Sequence, residues 1–90
     1  KIGNDDWKEL MCAVDEAYSQ FTTRLLELYP MKTIEIQVCV LIKIGLSPAQ
    51  IAFITIRSRQ AISSIRKRLY SKVMGKDGTP EQWDNFISTF

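Results

Sequence analysis

The sequence has no histidine, only two cysteines, and no apolar run longer than five residues, Val38 to Ile42 being one of that length. Without histidine it lacks the commonest general base and the commonest metal ligand. Two sulfurs without imidazole fall short of a four-ligand zinc site. A membrane-spanning helix needs about 18 or more apolar residues in succession, and none is present. There is no glycine-rich phosphate loop and no clustered carboxylate pair. No nucleophile, base or metal set can therefore be named, and the chain is not expected to be an enzyme or to carry a cofactor or metal. Asp5-Asp6 reads as a helix start and Asp15-Glu16 as a solvated face. One further absence is local: no acidic residue occurs between Leu46 and Lys76.

What is present suits one small globular domain. At 90 residues, folding buries roughly 60–65% of the unfolded surface, enough for one core. The content of 46% hydrophobic and 24% charged residues excludes a disordered tail and a disulfide scaffold. Cys12 and Cys39 each sit in an apolar helical pattern and read as buried, reduced thiols. The chain opens at Lys1 without methionine or a signal-peptide pattern, so it reads as a fragment of a longer, cytoplasmic protein.

Charge is unevenly spread. Residues 1–45 carry five basic and seven acidic side chains. Residues 46–78 carry seven basic ones and only Asp77 against them, a net of +6. Residues 79–90 add Glu81 and Asp84. A one-sign segment in an otherwise acidic domain is the footprint of a polyanion partner, or else a solvated basic helix face.

The pattern is all-α, because no useful stretch alternates with period two. Asp6-Trp7-Lys8-Glu9 reads as a capping box opening a first helix with Trp7, Leu10, Met11, Val14 and Tyr18 at helical spacing. Ser19 restarts the chain as a second helix that Pro30 ends. A third, from about Thr33 to Ile44, is apolar nearly all round and should be central, with Gly45 as its stop. Ser47-Pro48-Ala49-Gln50 caps a short fourth helix, and Thr55-Ile56-Arg57 forms a tight connection. Ser58 caps a fifth helix running to about Met74, before Gly75. Thr79-Pro80-Glu81-Gln82 opens a last one, with Trp83, Phe86, Ile87 and Phe90 on its apolar face.

On the fifth helix, Ile62, Ile65, Leu69 and Val73 fall on one side. The opposite side carries Gln60, Ser63, Ser64, Lys67, Tyr70 and Ser71, flanked by Arg59 and Arg68. Such a face suits a helix lying in the DNA major groove, where these side chains reach base edges. A short helix, a tight turn and a longer polar-faced helix make a helix-turn-helix.

Residues 31–73 also resemble the LuxR/GerE-type DNA-binding domain. The matching features are Glu35, the apolar helix, Gly45 and Ser47, Ile51-Ala52, Ser58 with Ile62, and Arg66-Lys67-Arg68-Leu69. Region 4 of sigma factors shares this helical core. The resemblance implies the C-terminal output domain of a multidomain bacterial transcriptional regulator, acting as a dimer on two-fold half-sites. It divides the chain into an N-terminal helical extension (1–30), a helix-turn-helix core (31–75) and a C-terminal helix (76–90) within one compact domain. Three positions depart from the family. Lys32 replaces the usual Thr or Ser cap, with Thr33 as a substitute one residue on; Ile56 replaces Gly or Asn in the turn; and Arg57 replaces an apolar residue. A β-branched Ile56 should keep φ negative or distort the turn.

The family pattern and helix geometry give Arg59, Gln60, Ser63, Ser64 and Lys67 as base-edge candidates. Ser47, Gln50, Arg57, Ser58, Tyr70 and Lys72 are phosphate candidates. Arg66, at the edge of the buried face, pairs with Glu35, with another acidic residue, or with a phosphate. Trp7, Tyr18, Phe21, Trp83, Phe86 and Phe90 lie outside the basic segment and read as core or dimer surface rather than a base-stacking platform. The expected function is sequence-specific binding of double-stranded DNA. The alternative is a protein-interaction module that keeps the fold without DNA.

Overall fold

The computed structural model describes residues 3–90; Lys1, counted above among the cations, lies outside them. Six helices follow one another: α1 (Asn4–Ala17), α2 (Phe21–Leu28), α3 (Thr33–Lys43), α4 (Pro48–Thr55), α5 (Arg59–Met74) and α6 (Pro80–Thr89). Among the described residues there is no strand, and no helix is long and apolar enough to cross a membrane.

The apolar third helix is central, as its composition predicts. Val38, Cys39, Val40, Leu41 and Ile42 are all buried, and α3 packs against each of the other five helices. The flanking segments close the same core. Trp7, Val14, Phe21 and Leu25 reach it from the N-terminal side and Trp83 and Ile87 from α6. The Cα radius of gyration is 12.2 Å, close to the ~12 Å expected of a compact chain of this length. Trp83 contributes the largest fully buried side chain. Its indole N–H has no well-formed hydrogen bond and acts on the Cys39 thiol, a weak acceptor. Burial outweighs that contact and pushes the Cys39 thiol up to about 12.

Several helix ends differ from the sequence expectation, each for a local reason. The N-cap of α1 is Gly3; Asp6 lies three residues in and accepts the Gly3 N–H at 3.3 Å. Ser19 does not start a helix. Ser19 and Gln20 both hold left-handed backbone (φ 53° and 61°), and α2 begins at Phe21. Asp15, expected on a solvated face, turns toward that start. Its carboxylate accepts the Thr22 N–H at 2.7 Å and the Thr22 hydroxyl at 2.6 Å, satisfying an orphan donor of the first turn. Lys32 itself is the N-cap of α3, and Thr33 is the first helical residue rather than a cap. The Glu35 carboxylate serves instead, accepting the Lys32 N–H at 2.8 Å. Cys12 is exposed rather than buried, because it follows Met11 on the solvent side of the α1 stripe formed by Trp7, Leu10 and Val14. The caps at Ser47, Ser58 and Thr79 and the stops at Gly45 and Gly75 stand where the sequence puts them.

Two cations outside the basic segment are committed to helix ends, where carbonyls lack partners and the dipole favours positive charge. Arg24 donates to the main-chain oxygens of Tyr18, Ser19 and Phe90 at 2.7–2.8 Å. Lys43 donates to those of Ile87 and Ser88 at 3.3 and 3.1 Å.

Candidate nucleic-acid interface

The candidate surface is built on α4, α5 and the three residues that join them, Ile56 to Ser58. The join is a Schellman-type stop. The Arg57 N–H reaches the Ala52 carbonyl at 3.0 Å and the Ile56 N–H the Phe53 carbonyl at 3.3 Å. That geometry requires a left-handed residue, and Ile56 supplies it at φ 56°, ψ 46°. The expectation of a negative φ therefore fails. The two turn hydrogen bonds and the need to start α5 at Ser58 outweigh a local penalty of about 1–2 kcal/mol. The same turn ends α3 at lower cost, with Gly45 at φ 93° and the Leu46 N–H bonded to the Leu41 carbonyl at 3.1 Å.

Sixteen residues make α5 about 24 Å long. Ile62, Ile65, Arg66, Leu69 and Tyr70 are buried, leaving the face that carries Gln60, Ser64 and Lys67 in solvent. Ser63 is half-buried at one margin of that face, and Arg59 is exposed at the helix start. Among the described residues, none of these five base-edge candidates spends its side chain on a hydrogen bond or ion pair within the chain. They occupy one side of a helix whose other side is locked into the core.

The phosphate candidates divide. At the start of α4, Ser47 Oγ accepts the Gln50 N–H at 3.2 Å, and Gln50 Oε1 accepts the Ser47 N–H at 2.8 Å. At the start of α5, Ser58 Oγ accepts the Ala61 N–H at 3.0 Å. A hydroxyl that accepts one bond keeps its proton to donate, and the Gln50 amide keeps both of its own. Both capped helix starts therefore still present donors outward. Arg57 and Lys72 are exposed. Tyr70 is a correction: only 9% of it is exposed, so it does not share the solvent face. The chain returning from α5 to α6 covers it, and Gly78 lies so close that a Cβ there would collide with the Tyr70 ring.

The cations divide as well. Arg66 is 2% exposed and forms a two-pronged pair with Asp84 of α6, Nε–Oδ1 at 2.9 Å and Nη2–Oδ2 at 2.5 Å. Of the acidic partners open to it in the sequence, it takes Asp84 rather than Glu35. Arg68 reaches the buried Glu35 instead, at a long 3.5 Å. Arg57, Arg59, Lys67, Lys72 and Lys76 have no carboxylate within ion-pair distance among the described residues. No ion pair within the chain offsets their charge, on a stretch of sequence, Leu46 to Lys76, that has no acidic residue.

Comparison of the chain with family models, with curated proteins and with solved structures gives no match.

Sequence reasoning missed one feature beside this surface. Phe53 is 84% exposed and Ile56 67%. Next to them lies an open apolar depression lined by Leu46, Ala49, Gln50, Phe53 and Ile54. Because α4 is apolar on every side, its pattern does not reveal which side faces out.

Proposed function

We propose that this domain binds double-stranded DNA, with α5 as the helix that enters the major groove and the capped starts of α4 and α5 on the flanking phosphates. One observation carries the reading: a long helix, anchored by its buried side, presents Gln60, Ser63, Ser64 and Lys67 unspent on one face. Arg, Lys, Gln and Ser side chains can pair with the donor and acceptor pattern of base edges there. Uncompensated Arg57, Arg59, Lys72 and Lys76 supply the positive field that phosphate attraction needs. The three-residue link between α4 and α5 fits the helix-turn-helix arrangement, in which the second helix reads bases and the first crosses the backbone. The LuxR/GerE resemblance of residues 31–73 agrees with this assignment. It extends the proposal to a dimeric, cytoplasmic output domain of a transcriptional regulator.

The test separates reading from attraction. A selection from random duplexes should yield a preferred site. Gln60→Ala and Lys67→Ala should each lower affinity for that site while leaving the helical circular-dichroism spectrum unchanged. Loss of a base contact should cost about 1–3 kcal/mol and relax preference at one position. Lys72→Ala should weaken all duplexes alike. Equal affinity of the parent and the Gln60 and Lys67 variants for every duplex would refute α5 as the reading helix.

A further inference from the structure

The exposed apolar side chains of α4 and its turn, Phe53 and Ile56, are not needed for the phosphate and base-edge contacts proposed above. A bare phenyl ring 84% exposed and an isoleucine 67% exposed offer a phosphate neither charge nor a hydrogen-bond donor. Nor does the fold need them there. Ile56 occupies a left-handed position that glycine would fill without strain, and most of its side chain stands in water. A residue that breaks a local rule while exposing an apolar group points to a surface kept for contact.

Charge and area narrow the occupant. Arg57 directly follows Ile56, Arg59 is two residues further on, and both are without a carboxylate partner. A second copy docking through the same patch would bring these arginines against their own kind. Phe53 and Ile56 also offer only on the order of 300 Å² of apolar surface, well short of the ~800 Å² per partner of a standard interface. An amphipathic helix needs less. Its apolar residues, three and four apart, can seat in the depression beside Phe53, with carboxylates on its flank facing the arginines. We infer that the patch formed by Leu46, Ala49, Phe53, Ile54 and Ile56 docks an acidic, amphipathic helical segment of a partner protein. The docking is weak and reversible, strengthened by Arg57 and Arg59.

The experiment is a display selection of random peptides of about 16 residues, roughly four helical turns, on the 90-residue chain. The Phe53→Ser chain serves as counter-target. Selected peptides are then titrated by fluorescence anisotropy against both proteins. The expected winners carry Leu, Ile or Phe at helical spacing and a clear excess of Asp and Glu. Their affinity should fall at least about tenfold on Phe53→Ser, the loss typical of an interface anchor. Thermal unfolding of Phe53→Ser should match the parent, because the ring is exposed. Failure to enrich any peptide, enrichment of basic or neutral ones, or binding indifferent to Phe53→Ser would each overturn the inference. Two further controls assign the patch elsewhere if positive: Phe53-dependent binding to phosphatidylglycerol vesicles, and Phe53-dependent dimer mass in sedimentation. Duplex DNA affinity, measured on the same two proteins, should not change. A parent chain that binds duplex DNA but enriches no such peptide fails this inference alone, and one that binds the peptides but no duplex fails the DNA proposal alone.

Discussion

Ile56 permits a sharp test of the turn, because glycine and alanine there both remove the isoleucine branches and differ only by the Cβ methyl that penalises left-handed backbone. Both variants lose the minor part of the isoleucine that is buried, since 67% of it is exposed. At φ 56° alanine bears a left-handed penalty of about 1–2 kcal/mol, and glycine bears none. Against this, glycine gains unfolded-state freedom of about 0.5–1 kcal/mol. The difference leaves Ile56→Gly more stable than Ile56→Ala by about 0.5–1 kcal/mol. For a domain this small, that is roughly 2–8 °C in Tm. The order is the inverse of the usual one. Lys67, exposed in mid-helix, provides the contrast: there alanine should exceed glycine by about 1 kcal/mol. Thermal and urea unfolding followed by circular dichroism at 222 nm, the far-ultraviolet helix band, measures all four variants. If Ile56→Ala equals or exceeds Ile56→Gly, position 56 is not left-handed and the proposed turn geometry is wrong.

Other outcomes follow from the core. Asp84→Ala strands the buried Arg66 guanidinium and should cost about 3–5 kcal/mol, whereas replacing both residues by apolar ones of similar volume should cost far less; chemical unfolding of the parent and the two variants decides. Gly78→Ala drives a methyl into the Tyr70 ring and should destabilise by about 1–3 kcal/mol by overpacking, seen as a lowered urea midpoint. Cys39, with its thiol pushed up to about 12, should resist a disulfide reagent at pH 8 until the chain unfolds, while exposed Cys12 reacts at once. Because the folded state holds that thiol neutral, its stabilising effect is complete below the ordinary value of 9.0 and is lost as pH rises from there toward about 12; alkaline unfolding curves should show the decline, and Cys39→Ala should lessen it.

The order of six helices was legible because each carries a local signal. Proline and glutamine after Ser47 and Thr79, glycine at 45 and 75, and an apolar third helix all act within one turn of chain. The polar face of α5 was legible for the same reason, since helical spacing alone separates Ile62, Ile65 and Leu69 from Gln60, Ser64 and Lys67. What escaped depends on distant parts of the chain. The burial of Tyr70 requires the 75–79 loop to fold across it. The choice of Asp84 over Glu35 as the Arg66 partner requires α6 to dock beside α5. The exposure of Phe53 requires knowing which side of a uniformly apolar α4 meets α3 and α5. Ile56 shows the converse. Its side chain argues locally against a left-handed turn, and the turn forms because two hydrogen bonds and the docking of α5 outweigh that preference.

The most direct test of the DNA account is the salt dependence of affinity for random duplex DNA between about 50 and 200 mM, for the parent and Lys67→Ala. In the basic segment Arg57, Arg59, Lys67, Lys72 and Lys76 have no ion-pair partner among the described residues. If four or five of them neutralise phosphates, log K should fall against log salt with a slope of about −4, a loss of two or more decades across that range. Lys67→Ala should flatten the slope by about 0.9 if Lys67 rests on a phosphate and leave it unchanged if Lys67 reads a base. A slope near zero, or no binding at the lowest salt even when two copies are tethered, would contradict the account.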